Sequence, residues 1–183
     1  MRLFAAVPLS PAALGAAKST LKRLEAEGWP VRWGREAGLH LTLKFFGEVT
    51  ADRLDTIAEM VGFSLDGVAA MPMRITGAGV FPGTSRPRVI RLDVAAGPEL
   101  ELLQDRLERG GERIGFPPEG RPFRPHVTLG RIKEGQRLPK GAGEIIEAIP
   151  GQLEFLADRV VLYESELGIG GPLYHARADF PLT

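Results

Sequence analysis

Cysteine is absent from the 183 residues, which excludes a disulfide scaffold, thiol nucleophiles and thiolate metal sites, and fits a reducing interior. No apolar run approaches the ~18 residues of a membrane span, and no charged segment, long apolar stretch and small-residue cleavage site open the chain. A soluble, cytoplasmic protein without membrane attachment is therefore expected. Excess charge is missing too: 23 basic and 23 acidic residues give a formal net charge of zero, which argues against a protein that coats nucleic acid. No long linker stands out, because the 23 Gly and 15 Pro are spread along the chain. With 44% hydrophobic residues, the length suits one well-buried core, and a single compact two-lobed domain over residues 1–183 is expected.

Histidine is also scarce, and its placement organises the reading. Two of the three histidines open the same tetrad, His40-Leu41-Thr42-Leu43 and His126-Val127-Thr128-Leu129. By average usage a given His is followed by Thr and Leu at those places with a probability of about 1%. In an extended strand side chains alternate between faces, so His40 and Thr42 share one face and the Leu residues share the other. His126 and Thr128 repeat the geometry. Continued alternation places Lys44 and Phe46 on the His40 face and Phe45 on the buried one.

The spacing of the two histidines, 126 − 40 = 86, also lays Arg2-Leu3-Phe4 on Arg88-Val89-Ile90. Each triplet opens an apolar run, followed by a Pro-initiated amphipathic segment (from Pro11 and from Pro98), a Gly/Pro-rich connection and the His strand. Two lobes related by duplication are expected.

Local signals fill in the order. Arg2–Leu9 reads as a strand, and Ser10-Pro11 caps a helix carrying Leu14, Ala17, Leu21 and Leu24. Trp29 and Trp33 read as packing under a loop. Thr50 is the expected cap of a helix with Ile57, Val61 and Leu65. Met73–Phe81 and Arg88–Ala95 read as strands, and Leu100, Leu103, Leu107 and Ile114 as a helical stripe. Pro125 marks the start of the second His strand. A basic loop and two final strands, about 152–164 and 173–180, complete the chain. The glycine run between them lacks the Lys and following helix of a phosphate loop and reads as a turn. His175 reads as structural or exposed.

Two facing imidazoles can act as base and acid in one displacement, because their ordinary pKa of ~6.5 lets both forms coexist near neutrality. A threonine hydroxyl two residues along, some ~6 to 7 Å away, can donate to an oxygen of the reacting group. Two such pairs suit a phosphodiester, with its entering, leaving and two non-bridging oxygens. Metal catalysis is the rival chemistry, but neither tetrad has a third ligand at metal-binding spacing, so no metal is expected. From Arg121 to Lys140 six basic residues face one acid, Glu134, a local patch suited to a small anionic ligand.

The paired tetrads, the segments His40 to Glu48 and Arg121 to Leu129, and Tyr163-Glu164-Ser165-Glu166-Leu167 resemble the two-histidine phosphoesterase superfamily, within it the RNA 2',3'-cyclic phosphodiesterases formerly called 2'-5' RNA ligases. The resemblance runs from Arg2 to about Leu182. It implies an α+β bilobal fold, two antiparallel sheets facing a central groove with helices outside. It also implies opening of an RNA 2',3'-cyclic phosphate to a 2'-phosphate, with no cofactor. His40 would be the proton donor, His126 the proton acceptor, and Thr42 and Thr128 the holders of the non-bridging oxygens. Arg131 and Phe45, each five residues beyond a histidine, occupy positions that approach substrate in similar proteins, although strict alternation aims both away. Lys44 and Arg124 complete the expected substrate-binding set. RNA with a cyclic phosphate end is the expected partner, for a monomer with no obligate protein partner. The same chemistry run backwards would join RNA ends through a 2'-5' bond, and two alternatives are a non-catalytic RNA-end binder and a phosphodiesterase of small cyclic nucleotides.

Overall fold

The computed structural model describes residues 1–168 and 171–183. Among the described residues nine strands and four α-helices follow in the order β1 (Arg2–Pro8), α1 (Pro11–Glu25), β2 (Val31–Trp33), β3 (His40–Glu48), α2 (Leu54–Leu65), β4 (Met71–Phe81), β5 (Val89–Ala96), α3 (Pro98–Arg113), β6 (His126–Ile132), α4 (Ala142–Glu147), β7 (Pro150–Ala157), β8 (Arg159–Gly168) and β9 (Gly171–Pro181). The class is α+β, as expected. Among the described residues the strands form one hydrogen-bonded antiparallel sheet, β7-β4-β5-β6-β3-β1-β8-β9, with β2 on β6, where two sheets were expected. A narrow seam joins its halves: Leu41 opposite Val127 is the one register pair between β3 and β6.

Local chemistry explains most elements. Ser10 Oγ accepts from the Ala13 amide at 3.3 Å, with Pro11 in the first turn, so α1 starts where its free donors are satisfied. Its buried face is Ala13, Ala17, Leu21 and Leu24, and that of α3 includes Leu100, Leu103 and Leu107. Thr50 makes no side-chain cap; a 3-10 turn over Ala51–Arg53 leads into α2 instead. Two elements escaped the sequence reading. Val31–Trp33 pairs with β6, and Ala142–Glu147 forms a short helix after the basic loop. The C-terminal region holds three strands rather than two. The glycine run expected to turn there includes residues 169 and 170, which lie outside the described residues. No helix is long and apolar enough to cross a membrane among the described residues.

One irregularity decides which side chains reach the sheet's open face. Ala5 stands opposite Lys44 and Ala6 opposite Thr42, so Leu43 is an extra residue in β3. Ile90 stands opposite Gly130 and Arg91 opposite Thr128, so Leu129 is the extra residue in β6. A bulge of this kind shifts the alternation by one residue. The seven residues from His40 and from His126 accordingly share one burial sequence, in which positions two, four, five and seven are buried.

Candidate active site

His40 and Thr42 on β3, and His126 and Thr128 on β6, are partly exposed, while their neighbours Leu41, Leu43, Val127 and Leu129 lie in the core. The Leu41–Val127 pair lies midway between the two dyads. Following the antiparallel register one residue either way brings His40 toward Thr128 and Thr42 toward His126.

Each imidazole is oriented in the same way. His40 Nδ1 lies 2.7 Å from the Gly38 carbonyl, and His126 Nδ1 lies 2.7 Å from the Arg124 carbonyl. A carbonyl only accepts, so Nδ1 carries the proton in both rings. Neutral Nε2 is thereby left as a free acceptor on each side, ready to take a proton and, once charged, to return it. The chain entering each strand does this through the residue two places before the histidine. In the second case the extended path through Pro125 delivers the carbonyl.

The surroundings differ. Phe4 stacks on His40 at 4.7 Å between centroids and 27°, Tyr174 meets it edge-on at 5.1 Å and 88°, and Tyr163 stacks beyond at 6.0 Å. Gly38 makes room for this: a Cβ there would sit 2.7 Å from the Tyr174 ring. Burial pushes the His40 pKa down to about 4, opposed by the Gly38 hydrogen bond and reinforced by the charge of His126. Burial also lowers His126, whose other neighbours are charged: Arg91 and Arg131 lower it further, and Asp93 raises it along with the Arg124 carbonyl. An aromatic wall therefore borders one imidazole and guanidinium groups the other. The Arg131 charge acts on both, lowering His126 and opposing the burial-driven rise of the Tyr174 hydroxyl.

The linkage of His40 to folding has a definite sign. Its folded pKa lies below the unfolded value of ~6.5, so the unfolded chain binds more protons between the two. Stability is complete above pH ~6.5 and falls as the pH drops toward 4, by ~1–3 kcal/mol for a ring whose edge still meets solvent. Urea titrations at pH 7 and pH 4.5 should show this loss, smaller in His40→Gln; an equal loss in the variant would contradict it.

The remaining expected residues separate. Phe45 is 45% exposed, with its ring 5.8 Å from Phe4. The bulge at Leu43 returns it to the His40 face, which corrects its placement on the buried face. Arg131, exposed on β6, shares the His126 face for the same reason. Lys44 goes the other way. It is 1% exposed, its Nζ donating to Glu108 Oε2 at 2.5 Å and to the Pro117 carbonyl at 3.4 Å. Its expected substrate contact is thus corrected: the ammonium lies on the core side. The Arg124 side chain is exposed, while its carbonyl orients His126. His175 pairs with Glu166 at 3.2 Å on the exposed β8–β9 ribbon. Among the described residues no three His, Cys, Asp or Glu side chains are gathered to hold a metal ion.

Sequence reading missed Phe4, Tyr174, Arg91 and Asp93. Arg91-Leu92-Asp93 did carry a signal, two charges on alternate residues in an otherwise apolar strand. Tyr174 carried none, since it reaches His40 only through the pairing of β9 with β8.

Paired His-x-Thr strands meeting across the seam of an antiparallel sheet define a two-histidine phosphoesterase architecture. The profile of the 2'-5' RNA ligase superfamily matches residues 11–168, and the chain belongs to that family. An RNA 2',3'-cyclic phosphodiesterase of Aeropyrum pernix is 36% identical over 153 residues, covering 80% of this chain and 84% of the relative. One of Thermotoga maritima is 31% identical over 175 residues, covering 95% and 91%. Among solved structures, a Thermus thermophilus protein superposes with a TM-score of 0.83 at 29% identity, covering all of this chain and 98% of that one. E. coli LigT, solved with 3'-AMP, gives 0.77 at 25% identity, with the same coverage.

Proposed function

We infer that the protein hydrolyses the 2',3'-cyclic phosphodiester at an RNA end to a 2'-phosphomonoester by acid–base catalysis between His126 and His40. The observation that carries the reading is the pair of Nδ1-anchored imidazoles presenting free Nε2 atoms on one face, each with a threonine two residues on. Water attacks phosphorus and gives its proton to His126 Nε2. The P–O3' bond breaks, and O3' takes the proton held by His40 Nε2, leaving a 2'-phosphate and a 3'-hydroxyl. Thr42 and Thr128 donate to the non-bridging oxygens as their charge grows, and Arg131 supplies a guanidinium to the same anion. Phe45, exposed beside the Phe4 ring on which His40 stacks, offers apolar ring surface for the terminal nucleoside. E. coli LigT has been solved with a nucleoside phosphate, 3'-AMP.

The direction of proton flow follows the family resemblance and has a physical consequence. In the free site burial holds His40 neutral, with a pKa of about 4, and lowers His126 as well. The productive form, His40 charged and His126 neutral, is the minor one until a phosphate anion enters and favours a charged His40. Bound inorganic phosphate should therefore move the His40 titration upward, read from its ring proton by NMR; an unmoved titration would contradict this route.

Two related lobes, each contributing one strand of the site, account for the matched burial and bulges of β3 and β6. The first strands align with an offset of 85, since Ala6 stands by Thr42 as Arg91 does by Thr128, one less than the spacing of the histidines. We read the chain as one such domain over residues 1–183, a monomer acting in the cytoplasm. A non-catalytic binder of RNA ends is the competing class. Multiple-turnover kinetics on a cyclic-phosphate RNA, beside its affinity for the same RNA ending in a linear phosphate, separates the two. Turnover supports the enzyme; equal affinity for both ends without turnover would replace it with the binder.

A further inference from the structure

The strands paired with β3 and β6 differ in charge beside the two histidines. Pro8 is paired with His40 and Ala6 with Thr42. At the equivalent positions Asp93 is paired with His126 and Arg91 with Thr128. Two residues without charge on one side thus stand where the other side has an ion pair. Arg91 Nε donates to Asp93 Oδ1 at 2.6 Å, and the Arg91 side chain is only 14% exposed. Its guanidinium also lies 5.7 Å from the Phe81 ring centroid. Gly79 of β4, opposite Arg91, completes the cradle: a Cβ there would lie 2.9 Å from Asp93 Oδ2. The carboxylate has a seat prepared for it beside β6.

We propose that Arg91 and Asp93 form a positioning pair that sets the charge state of His126 apart from that of His40, whose own setting is aromatic, so that the two histidines take different parts in catalysis. This rests on the cyclic phosphodiesterase reading above. The charged and titratable groups facing His126 are Arg91 and Asp93 from β5, Arg131 from β6 and His40 from β3. Asp93 is the one anion in that set, against two guanidiniums. Its carboxylate keeps His126 able to hold a proton next to a site built to attract phosphate. Without it, Arg91 and Arg131 would lower His126 unopposed by any carboxylate. Arg91 in turn fixes the carboxylate, so the field at the imidazole is steady.

The experiment compares wild type, Arg91→Gln, Asp93→Asn, the double variant and Gly79→Ala. It follows each histidine by NMR against pH, and kcat/KM against pH on an RNA 2',3'-cyclic phosphate. The His126 titration is expected to move up in Arg91→Gln, down in Asp93→Asn and back toward wild type in the double variant, while His40 moves little. Gly79→Ala, by displacing the carboxylate, moves it in the same direction as Asp93→Asn. The limb of the pH profile that His126 controls follows these shifts, and the limb set by His40 stays in place. A His126 titration unmoved in every variant, moved alike by both single changes, or matched by His40 would overturn the proposal. A wild-type protein that hydrolyses no cyclic phosphate would overturn the functional reading instead, with the titrations still deciding the pair. Loss of folding in one variant leaves the others to be read, and return by the double variant is not expected of mere structural damage.

Discussion

His40→Ala and His126→Ala should each lower kcat/KM on a cyclic-phosphate RNA end by ~10²–10⁴, the range for removing a positioned acid or base. The two losses should not add, because donor and acceptor serve one displacement and the second removal takes away a partner already idle. Thr42→Val and Thr128→Val should cost less, about 10²–10³ apiece, by withdrawing a hydroxyl from the charge that builds on phosphorus. Neither histidine change should unfold the protein. Each ring is tied by one hydrogen bond to the carbonyl two residues back, and that carbonyl can turn to water in the variant. Steady-state kinetics with thermal melts of each variant would check this, and a His40→Ala or His126→Ala protein with full activity would contradict it.

The largest effect on stability is expected at Lys44. Its ammonium is buried against Glu108, whose other oxygen accepts from Gln104 at 2.9 Å and whose paired oxygen also accepts from the Glu119 amide at 3.3 Å. The stem passes over Gly111, where a Cβ would lie 2.3 Å from Lys44 Cε. This cluster ties β3 to α3 and to the segment that leads, through Pro117 and Glu119, toward His126. Lys44→Met strands a carboxylate in the interior and should cost ~3–5 kcal/mol. Lys44→Met with Glu108→Leu should recover most of that, since a packed apolar pair replaces a buried ion pair at little cost. A residual ~1 kcal/mol per freed backbone group is expected from Pro117 and Glu119. Urea unfolding of both variants measures this. A Lys44→Met protein of normal stability but weakened substrate binding would restore the substrate-binding role and contradict the core placement.

Lys44 and Phe45 also mark how far the sequence could be read. The two tetrads were legible because alternation holds over the first four residues of each strand, so the placement of His40, Thr42, His126 and Thr128 on one face followed from period alone. The bulge at Leu43 ended that inference. Nothing in Leu43-Lys44-Phe45 signals an unpaired residue, since bulges are set by the partner strand, and the error exchanged the faces of Lys44 and Phe45. At Gly130, the counterpart of Lys44, a Cβ would lie 2.6 Å from Val31 and 2.8 Å from Trp33. Strand β2 therefore fills on one side the space that a lysine fills on the other, and with three residues it was too short to be seen as a strand. The order strand, helix, His strand in each half was legible from Ser10-Pro11, Pro98 and the apolar periods. Joining of the halves into one sheet was not, because it rests on a single long-range pair, Leu41 with Val127.

The central claim, that two histidines open a cyclic phosphate toward the 2' oxygen, is tested most directly by the chemistry of the product. The protein, treated with EDTA, is incubated with a short RNA ending in a 2',3'-cyclic phosphate, and the new end is identified by its resistance or sensitivity to an enzyme specific for 3'-phosphates. The account calls for a 2'-phosphate, formed with chelator present and lost in both His→Ala variants. A 3'-phosphate, or an unchanged cyclic end, would contradict it.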